Sequence, residues 1–280
     1  MIEAPWAPLV AGLFGLSIGS FLNVCALRWP SDESVVAPGS RCPGCHEPIR
    51  WYDNVPVLSW VLLRGRCRKC GERVSVQYPL VELATGFVWA GVFAALGPSW
   101  EAVRGGIFLT IIFGISISDV RFYIIPDEFS IGGAVVGLAL SFLPGGLGWS
   151  QALIGAVVGY TVFWVIGLAG TVLIKRLSPG RLEDAGVDQA MGGGDVKMMM
   201  MVGAFLGVWG VALTTFLGSV IALLVYLSVA ALGQVAGGSA ADLSKRLIPL
   251  GVFLAAGAAI SYAWGDQIIA WYLGLSGITV

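Results

Sequence analysis

Long stretches without a charged residue are the feature that most constrains how this chain folds. A helix that crosses a bilayer needs about 20 mostly apolar residues, and such stretches recur along most of the 280 residues. Charged residues make up only 12% of the chain, which is about half of what a soluble domain of this size carries. The sequence therefore predicts an all-α polytopic membrane protein.

About eight transmembrane helices are predicted. Two of the charge-free stretches are too long for one helix, and turn signals at Leu143–Ser150 and near Gly207–Gly210 divide each into two. The second turn leaves a short first helix. The stretches are Ala4–Leu27, Leu83–Trp100, the run after Glu101 and Arg104 to Ser118, Phe129–Ile174 (two spans), Met198–Ala241 (two spans) and Ile248–Gly265, extending toward Leu273.

The distribution of Lys and Arg predicts the orientation. With the N-terminus outside, the inside segments are 28–79, 119–128, 175–197 and 237–248, and they hold all sixteen Lys and Arg residues except Arg104. Cytoplasmic loops are enriched in these residues. The N-terminus has no basic region before its apolar run, so it is expected to be a first span rather than a cleaved signal. The net charge of −1 does not favour nucleic acid as a partner.

The one long polar segment, between the first two spans, contains two C-x-x-C pairs. Cys42 and Cys45 are followed after 21 residues by Cys67 and Cys70. This spacing is typical of a tetrahedral four-thiolate zinc site. The segment is too short for a large core, so zinc would supply much of its folding free energy. Four cysteine ligands leave no open coordination position, so the zinc is expected to be structural.

Two disulfides are the alternative for these cysteines, but the segment is predicted on the reducing side of the membrane, where disulfides rarely persist. His46, the single histidine of the chain, is expected to be a loop residue, and Cys25 a buried apolar residue of the first span. Nearby positive charge is expected to favour the thiolates. The basic residues concerned are Arg64, Arg66, Arg68 and Lys69.

Two aspartates lie at the predicted cytoplasmic ends of helices. Asp119 ends the apolar run Ile111–Ser118, and Asp195 follows the glycines 192–194 and begins another span. Carboxylates near membrane depth are costly and usually functional. Two carboxylates held a few ångströms apart can share one proton, so one acts as base toward water while the other polarises a carbonyl. The pattern suggests a hydrolytic site that needs no histidine.

Structural roles remain open for the same acids. Asp195 is also consistent with capping the helix that follows, and Asp119 with an ion pair to Arg121. Asp127 is expected first to N-cap the next span and second to support the site.

Four further residues are expected to support this site. Gly192 and Gly194 let backbone approach a substrate closely. Glu82, just inside the second span, is expected either to pair with a loop arginine or to line the site. Lys197 by default extends its amine to the membrane interface.

The ordered motifs resemble the bacterial type IV prepilin peptidases, also called leader peptidase/N-methyltransferases. The resemblance covers nearly the whole chain, and its second aspartate motif is the G-x-G-D signature of certain intramembrane aspartyl proteases. Val252 departs from it, because many members carry proline-containing sequence there. The matching motifs are Gly19–Val24 with Arg28 and Pro30, the two cysteine pairs with Pro56–Trp60 and Arg64–Cys67, Tyr78–Glu82, Asp119 through Ile125–Asp127, Gly192–Lys197 and Ile248–Gly251.

This resemblance implies a membrane endopeptidase that removes the short leader of type IV prepilins or pseudopilins at the cytoplasmic face of the bacterial inner membrane, for a pilus or a type II secretion system. Asp119 and Asp195 match the catalytic pair. The implied parts are a first helix over 1–27, a zinc-binding loop domain over 28–79 and an aspartyl protease domain of about seven helices over 80–280. The family then methylates the new N-terminus with S-adenosylmethionine. The chain shows no dinucleotide-type glycine fingerprint for this donor, so the donor-binding residues stay unknown.

Three alternatives are kept. A peptidase without methylation is the nearest, although the cysteine loop favours methylation, since members that lack it can be peptidases only. A proton-coupled transporter is less favoured, because transporters place acids near the bilayer centre, whereas here they lie at one edge. A zinc-loop scaffold without catalysis leaves both aspartate motifs without a role.

Overall fold

The computed structural model describes residues 4–178, 180–184, 186–235 and 249–275. In this part of the chain the secondary structure is helical, apart from two isolated β-bridges in the cysteine-containing loop. The chain divides into two compact units, Met1–Ser118 and Asp119–Val280.

The first unit contains α1 (Ala7–Arg28), α2 (Leu58–Leu62), α3 (Gln77–Leu96) and most of α4 (Trp100–Phe122), with 3-10 turns at Trp29–Ser31 and Trp51–Asp53. Helices α1 and α3 pack closely along small residues. A Cβ on Gly15 would lie 2.9 Å from the carbonyl oxygen of Thr85, and one on Gly19 would lie 2.7 Å from the Cα of Glu82. This Gly-x-x-x-Gly contact is a common way for membrane helices to associate.

The second unit begins in the last turn of α4 and continues with α5 (Asp127–Leu140), α6 (Trp149–Leu177), α7 (Arg181–Asp184), α8 (Gly193–Val235) and α9 (Leu250–Leu275). Helix α8 is interrupted at Gly207, which has φ +68° and ψ −170°. Such a backbone conformation is open mainly to glycine, so the turn predicted near Gly207 is confirmed as a break in the helix.

Six of the described helices are long and apolar enough to cross a membrane, namely α1, α3, α4, α6, α8 and α9. Helix α5 has 14 residues, and the break at Gly207 divides the 43 residues of α8 into two segments. The eight predicted spans therefore each correspond to a helical segment, and the predicted all-α membrane fold is confirmed. The predicted inside segment 237–248 lies outside the described residues.

The second predicted span is displaced from α3 by several residues. It was expected over Leu83–Trp100, but the helix covers Gln77–Leu96. The helix can begin earlier because Pro79 lies in its first turn. Backbone N–H groups in the first turn make no intrahelical hydrogen bond, so a proline there costs none. It ends earlier because Gly97 takes φ +66° at the C-cap and Pro98 follows.

Helices α6 and α8 are in close backbone contact at Gly155 and Gly203, so a side chain at Gly203 is expected to destabilise the protein. A Cβ on Gly203 would lie 2.0 Å from the carbonyl oxygen of Gly155. Gly203→Ala is therefore expected to destabilise the protein by about 1–3 kcal/mol, because backbone atoms must move apart. Thermal unfolding in detergent measures this loss. Gly132→Ala is the control, since nothing lies within 4 Å of a Cβ there. Equal melting temperatures for the two variants would contradict the close contact.

Candidate functional site

The four predicted zinc ligands form a single cluster in the first unit. Their sulfur atoms all lie within 4.8 Å of one another. The sulfurs of Cys42 and Cys70 are 3.6 Å apart, and those of Cys45 and Cys67 are 4.0 Å apart. A tetrahedral zinc with Zn–S bonds of about 2.3 Å places its sulfurs about 3.8 Å apart, so the cluster fits a metal ion. Disulfide-bonded sulfurs lie about 2.05 Å apart, which this arrangement does not match.

The two cysteine pairs have the same pattern of backbone hydrogen bonds. In each pair the backbone N–H of the first cysteine donates to the carbonyl of the residue five positions later. The backbone N–H of the residue that follows the second cysteine donates to the carbonyl of the first cysteine. His46 and Gly71 occupy this last position, with φ +56° and +74°. His46 is therefore a turn residue outside the sulfur cluster. The bonds are Cys42 to Glu47 at 3.0 Å, His46 to Cys42 at 2.9 Å, Cys67 to Glu72 at 2.8 Å and Gly71 to Cys67 at 3.0 Å.

Backbone amides favour the thiolate form of Cys67. The N–H groups of Cys70 and Lys69 hydrogen-bond to its sulfur and lower its pKa to about 6. Two of the four basic side chains that were expected to act by charge are paired with carboxylates: Arg68 with Asp53 at 2.6 Å and Lys69 with Glu47 at 2.7 Å. Lys69 also interacts electrostatically with Cys45 and Cys67. The thiolate is the form that binds metal, and at Cys67 backbone N–H groups favour it more than side-chain charge does.

Glu82 is buried in the second turn of α3 and anchors the loop. Its carboxylate accepts the backbone N–H of Val57 at 2.7 Å. Val57 precedes α2 and has φ +60°, an uncommon and strained conformation for a β-branched residue. Within the described residues Glu82 forms no ion pair with an arginine, so the first of its two expected roles is wrong. Its carboxylate contacts the Val57 amide at the start of α2 and the side chain of Ser20 in α1.

Asn23 is a polar residue of α1 to which the sequence assigned no role. It is fully buried, and its side-chain amide donates to the carbonyls of Gly19 and Tyr78, both at 3.2 Å. Asn23 thereby ties α1 to the first turn of α3. An asparagine inside a mostly apolar span was the signal available in the sequence.

Asp119 belongs to the second unit and lies in the last turn of α4. The residue is 6% exposed, and Oδ2 accepts the backbone N–H of Val252, in the first turn of α9, at 3.2 Å. Among the described residues Asp119 forms no ion pair with Arg121. The alternative role as an ion-pair partner is therefore wrong, and the carboxylate instead faces the N-terminal end of a helix.

Asp195 is the third residue of α8, and the charge of Asp119 acts on it electrostatically. Its neighbour Gly194 lies against Ile125, because a Cβ at Gly194 would be 2.9 Å from the Cβ of Ile125. Ile125 also contacts the first turn of α9: a Cβ at Gly251 would lie 2.9 Å from its Cδ1. The start of α8 and the start of α9 thus pack on the same apolar side chain, and this packing brings the two aspartates into one site.

Asp127 and Lys197 form an ion pair beside this site. The Lys197 ammonium donates to both carboxylate oxygens of Asp127, at 2.7 and 2.9 Å. Asp127 is the first residue of α5, and its N-cap is Pro126 with no side-chain cap bond, so the predicted N-cap role is wrong. Both side chains are partly exposed, and such pairs contribute at most about 1 kcal/mol. The pair links the start of α5 to the start of α8.

Gly192 and Gly194 differ in how tightly they are packed. A Cβ at Gly192 would lie 3.5 Å from Oδ2 of Asp195, an ordinary contact. At Gly194 the contact with Ile125 is too short for a side chain. The glycine directly before Asp195 is therefore required for packing, whereas Gly192 leaves room beside the carboxylate.

The helices, the four-cysteine cluster and the neighbouring aspartates define a polytopic membrane protein of a particular family. Residues 13–96 match the bacterial Peptidase A24 N-terminal domain, and residues 106–227 match the type IV leader peptidase family. The chain belongs to the type IV leader peptidase family. The resemblance inferred from the motifs is thereby confirmed, as is the expectation of an enzyme.

Several relatives described as "Prepilin leader peptidase/N-methyltransferase" align with this chain. The Stutzerimonas stutzeri protein is 33% identical over 95% of this chain and 93% of its own length. The Aeromonas hydrophila protein is 31% identical, with 93% of this chain and 92% of its own length covered. The Myxococcus xanthus protein is 38% identical over 69% of this chain, and the match covers 54% of that relative. No solved structure matches the chain.

Proposed function

We propose that this protein is a membrane endopeptidase that removes the leader from type IV prepilins or pseudopilins and then methylates the new N-terminus. The observation that carries the proposal is the pairing of Asp119 and Asp195 at helix ends of one unit, within electrostatic range of each other. Family membership and the names of the relatives support the substrate class.

Two such carboxylates suffice for peptide hydrolysis. One takes a proton from a water molecule whose oxygen attacks the scissile carbonyl carbon, and the other polarises the carbonyl oxygen by donating a proton to it. The C–N bond then breaks as a proton passes to the leaving amine. Neither histidine nor a nucleophilic serine takes part, in keeping with a chain whose single histidine is a turn residue of the cysteine loop.

The proposed location is the bacterial inner membrane, with the N-terminus outside and both the cysteine loop and the aspartates on the cytoplasmic side. The Lys and Arg distribution supports this orientation. A prepilin keeps its basic leader in the cytoplasm and its apolar helix in the bilayer. Carboxylates at the cytoplasmic ends of helices therefore meet the peptide bond between these two parts.

In this proposal residues 1–27 form the first transmembrane helix, 28–79 the zinc-binding loop domain and 80–280 the aspartyl protease domain. Cys42, Cys45, Cys67 and Cys70 would hold a structural zinc, which their sulfur spacing fits. Bound zinc would supply folding free energy to a loop with little core of its own.

Methylation rests on the family and on the names of the relatives. S-adenosylmethionine would supply the methyl group to the amine that cleavage releases. The described residues show no feature that fits this donor in particular, so the proposal assigns no residue to it.

Co-expression with a prepilin tests the proposed function, with the product's N-terminus read by mass spectrometry. We expect the leader to be absent and the new terminal amine to carry a methyl group. Cells with the prepilin alone are the control. Cleavage without the methyl group would reduce the function to a peptidase. An intact leader on every prepilin and pseudopilin tested would overturn the proposal.

A further inference from the structure

The first turn of α9 contacts Asp119 through its backbone. The Val252 N–H donates to Oδ2 of Asp119 at 3.2 Å, and the Gly251 N–H also interacts with this carboxylate. These are the second and third residues of the helix. The first four N–H groups of a helix have no intrahelical partner, and the helix dipole places positive charge there. The end of α9 thus favours a negative charge on Asp119.

Gly251 makes this approach possible. A Cβ at this position would lie 2.7 Å from Oδ2 of Asp119, closer than atoms pack, and 2.9 Å from Cδ1 of Ile125. The carboxylate oxygen is the end of a side chain, whereas the helix backbone is held by its own hydrogen bonds. The carboxylate is therefore the group that a side chain at Gly251 displaces most easily.

Asp195 has different surroundings. Among the described residues no donor is hydrogen-bonded to its carboxylate, and the charge that acts on it is that of Asp119. The two aspartates are thus unequal: one faces amide donors and the other faces a negative charge. The residues of the first turn of α9 and Ile125 bring no titratable group, and the nearby Asp127 and Lys197 are paired with each other.

We propose that the first turn of α9 is a third element of the peptidase site: it holds Asp119 as the ionised base, Gly251 is its positioning residue, and Asp195 carries the shared proton. This inference rests on the proposed function. Asp119 takes the proton from water as the water oxygen bonds to the carbonyl carbon, while Asp195 gives its proton to the carbonyl oxygen. When the C–N bond breaks, Asp119 passes its proton to the amine nitrogen. One hydroxyl of the intermediate returns a proton to Asp195, which leaves a carboxylic acid and an amine.

Gly251→Ala tests the inference, with Gly265→Ala as the matched control in the same helix. A Cβ at Gly265 would make only ordinary contacts, at 3.6 Å to Leu213 and Ser261. We expect Gly251→Ala to lower the rate of leader cleavage about 100-fold, the size of effect that a displacement of about 1 Å can have on a reacting group. Gly265→Ala is expected to cleave at the wild-type rate. Melting temperatures in detergent identify variants that fail to fold.

The pH–rate profile separates loss of the amide contact from a general packing defect. Displacing Asp119 from the amides favours its protonated form, so the acidic limb of the Gly251→Ala profile is expected to move to higher pH. Wild-type cleavage by Gly251→Ala, or reduced cleavage with an unchanged profile, would overturn the inference.

A second variant separates the effect of the contact with Asp119 from the effect of the contact with Ile125. Ile125→Val lacks Cδ1, so Gly251→Ala combined with Ile125→Val relieves the contact with residue 125 and leaves the contact with Asp119. We expect the double variant to stay as slow as Gly251→Ala. Recovery of cleavage in the double variant would assign the defect to packing against Ile125 and overturn the inference. Failure of the wild-type chain to cleave would instead count against the proposed function.

Discussion

Replacing either Asp119 or Asp195 with asparagine is expected to abolish leader removal while the protein still inserts and folds. Asparagine has the same shape, and at position 119 its carbonyl oxygen can still accept the Val252 N–H. It has no carboxylate to take a proton and no acidic proton to give. General acid–base groups contribute about 10²–10⁴-fold to a rate, so cleavage of a co-expressed prepilin should fall by at least about 100-fold in each variant.

The matched control is Asp266→Asn, which makes the same chemical change at an exposed position of α9. It is expected to cleave at the wild-type rate. The double variant Asp119→Asn with Asp195→Asn should be little slower than either single variant, because residues that act as a unit do not lose activity additively. Full cleavage by both single variants, read from the product's N-terminus, would rule out the paired-acid mechanism.

Removing one cysteine from each pair is expected to release the metal and unfold the loop. We expect the wild-type protein to contain about one zinc per chain and the Cys42→Ser, Cys67→Ser variant to contain almost none, because serine is a poor zinc ligand and two of four thiolates are lost. Structural zinc contributes about 10–16 kcal/mol to small zinc-folded peptides. Elemental analysis measures the metal, and limited proteolysis of the segment between α1 and α3 measures the order of the loop.

Cys25→Ser is the control for this experiment, because Cys25 lies in α1, outside the sulfur cluster. It should retain the metal and the protease resistance of the loop. Methylation is expected to fall more than leader removal when the loop unfolds, because Asp119 and Asp195 lie in the other unit. A metal-free wild-type protein whose loop resists protease as well as the metal-loaded protein does would contradict a structural zinc.

The positions of the long apolar helical segments in the described residues followed from the sequence, because hydrophobic length is a local property. Each span needs its own run of apolar residues, and the break in α8 coincides with Gly207, where the backbone takes φ +68°. The helix ends were less predictable. The second span was predicted to begin at Leu83, after the charged Glu82, but α3 begins at Gln77 and includes Tyr78 and Pro79. This is possible because a proline is accepted in the first turn of a helix.

The cysteine cluster could also be predicted, because spacing within a C-x-x-C pair determines how its sulfurs turn. The groups that surround the sulfurs could not be predicted from the sequence. Charge along the sequence pointed to Arg64, Arg66, Arg68 and Lys69 as the groups that favour thiolates, but Arg68 and Lys69 are paired with carboxylates in the folded loop. The pKa of Cys67 depends instead on the direction of two backbone N–H groups, which a sequence pattern does not specify.

The amino-acid sequence alone determined the membrane class, the long apolar helices, the four-cysteine cluster and the family, because each depends on residue type and local spacing. Only the tertiary structure decided the partners of the polar groups: Glu82 with Val57, Asp127 with Lys197, and Asp119 with the first turn of α9. The partners in each of these pairs lie 25 or more positions apart in the chain. Helix packing, which small residues such as Gly251 permit, brings them within hydrogen-bonding distance.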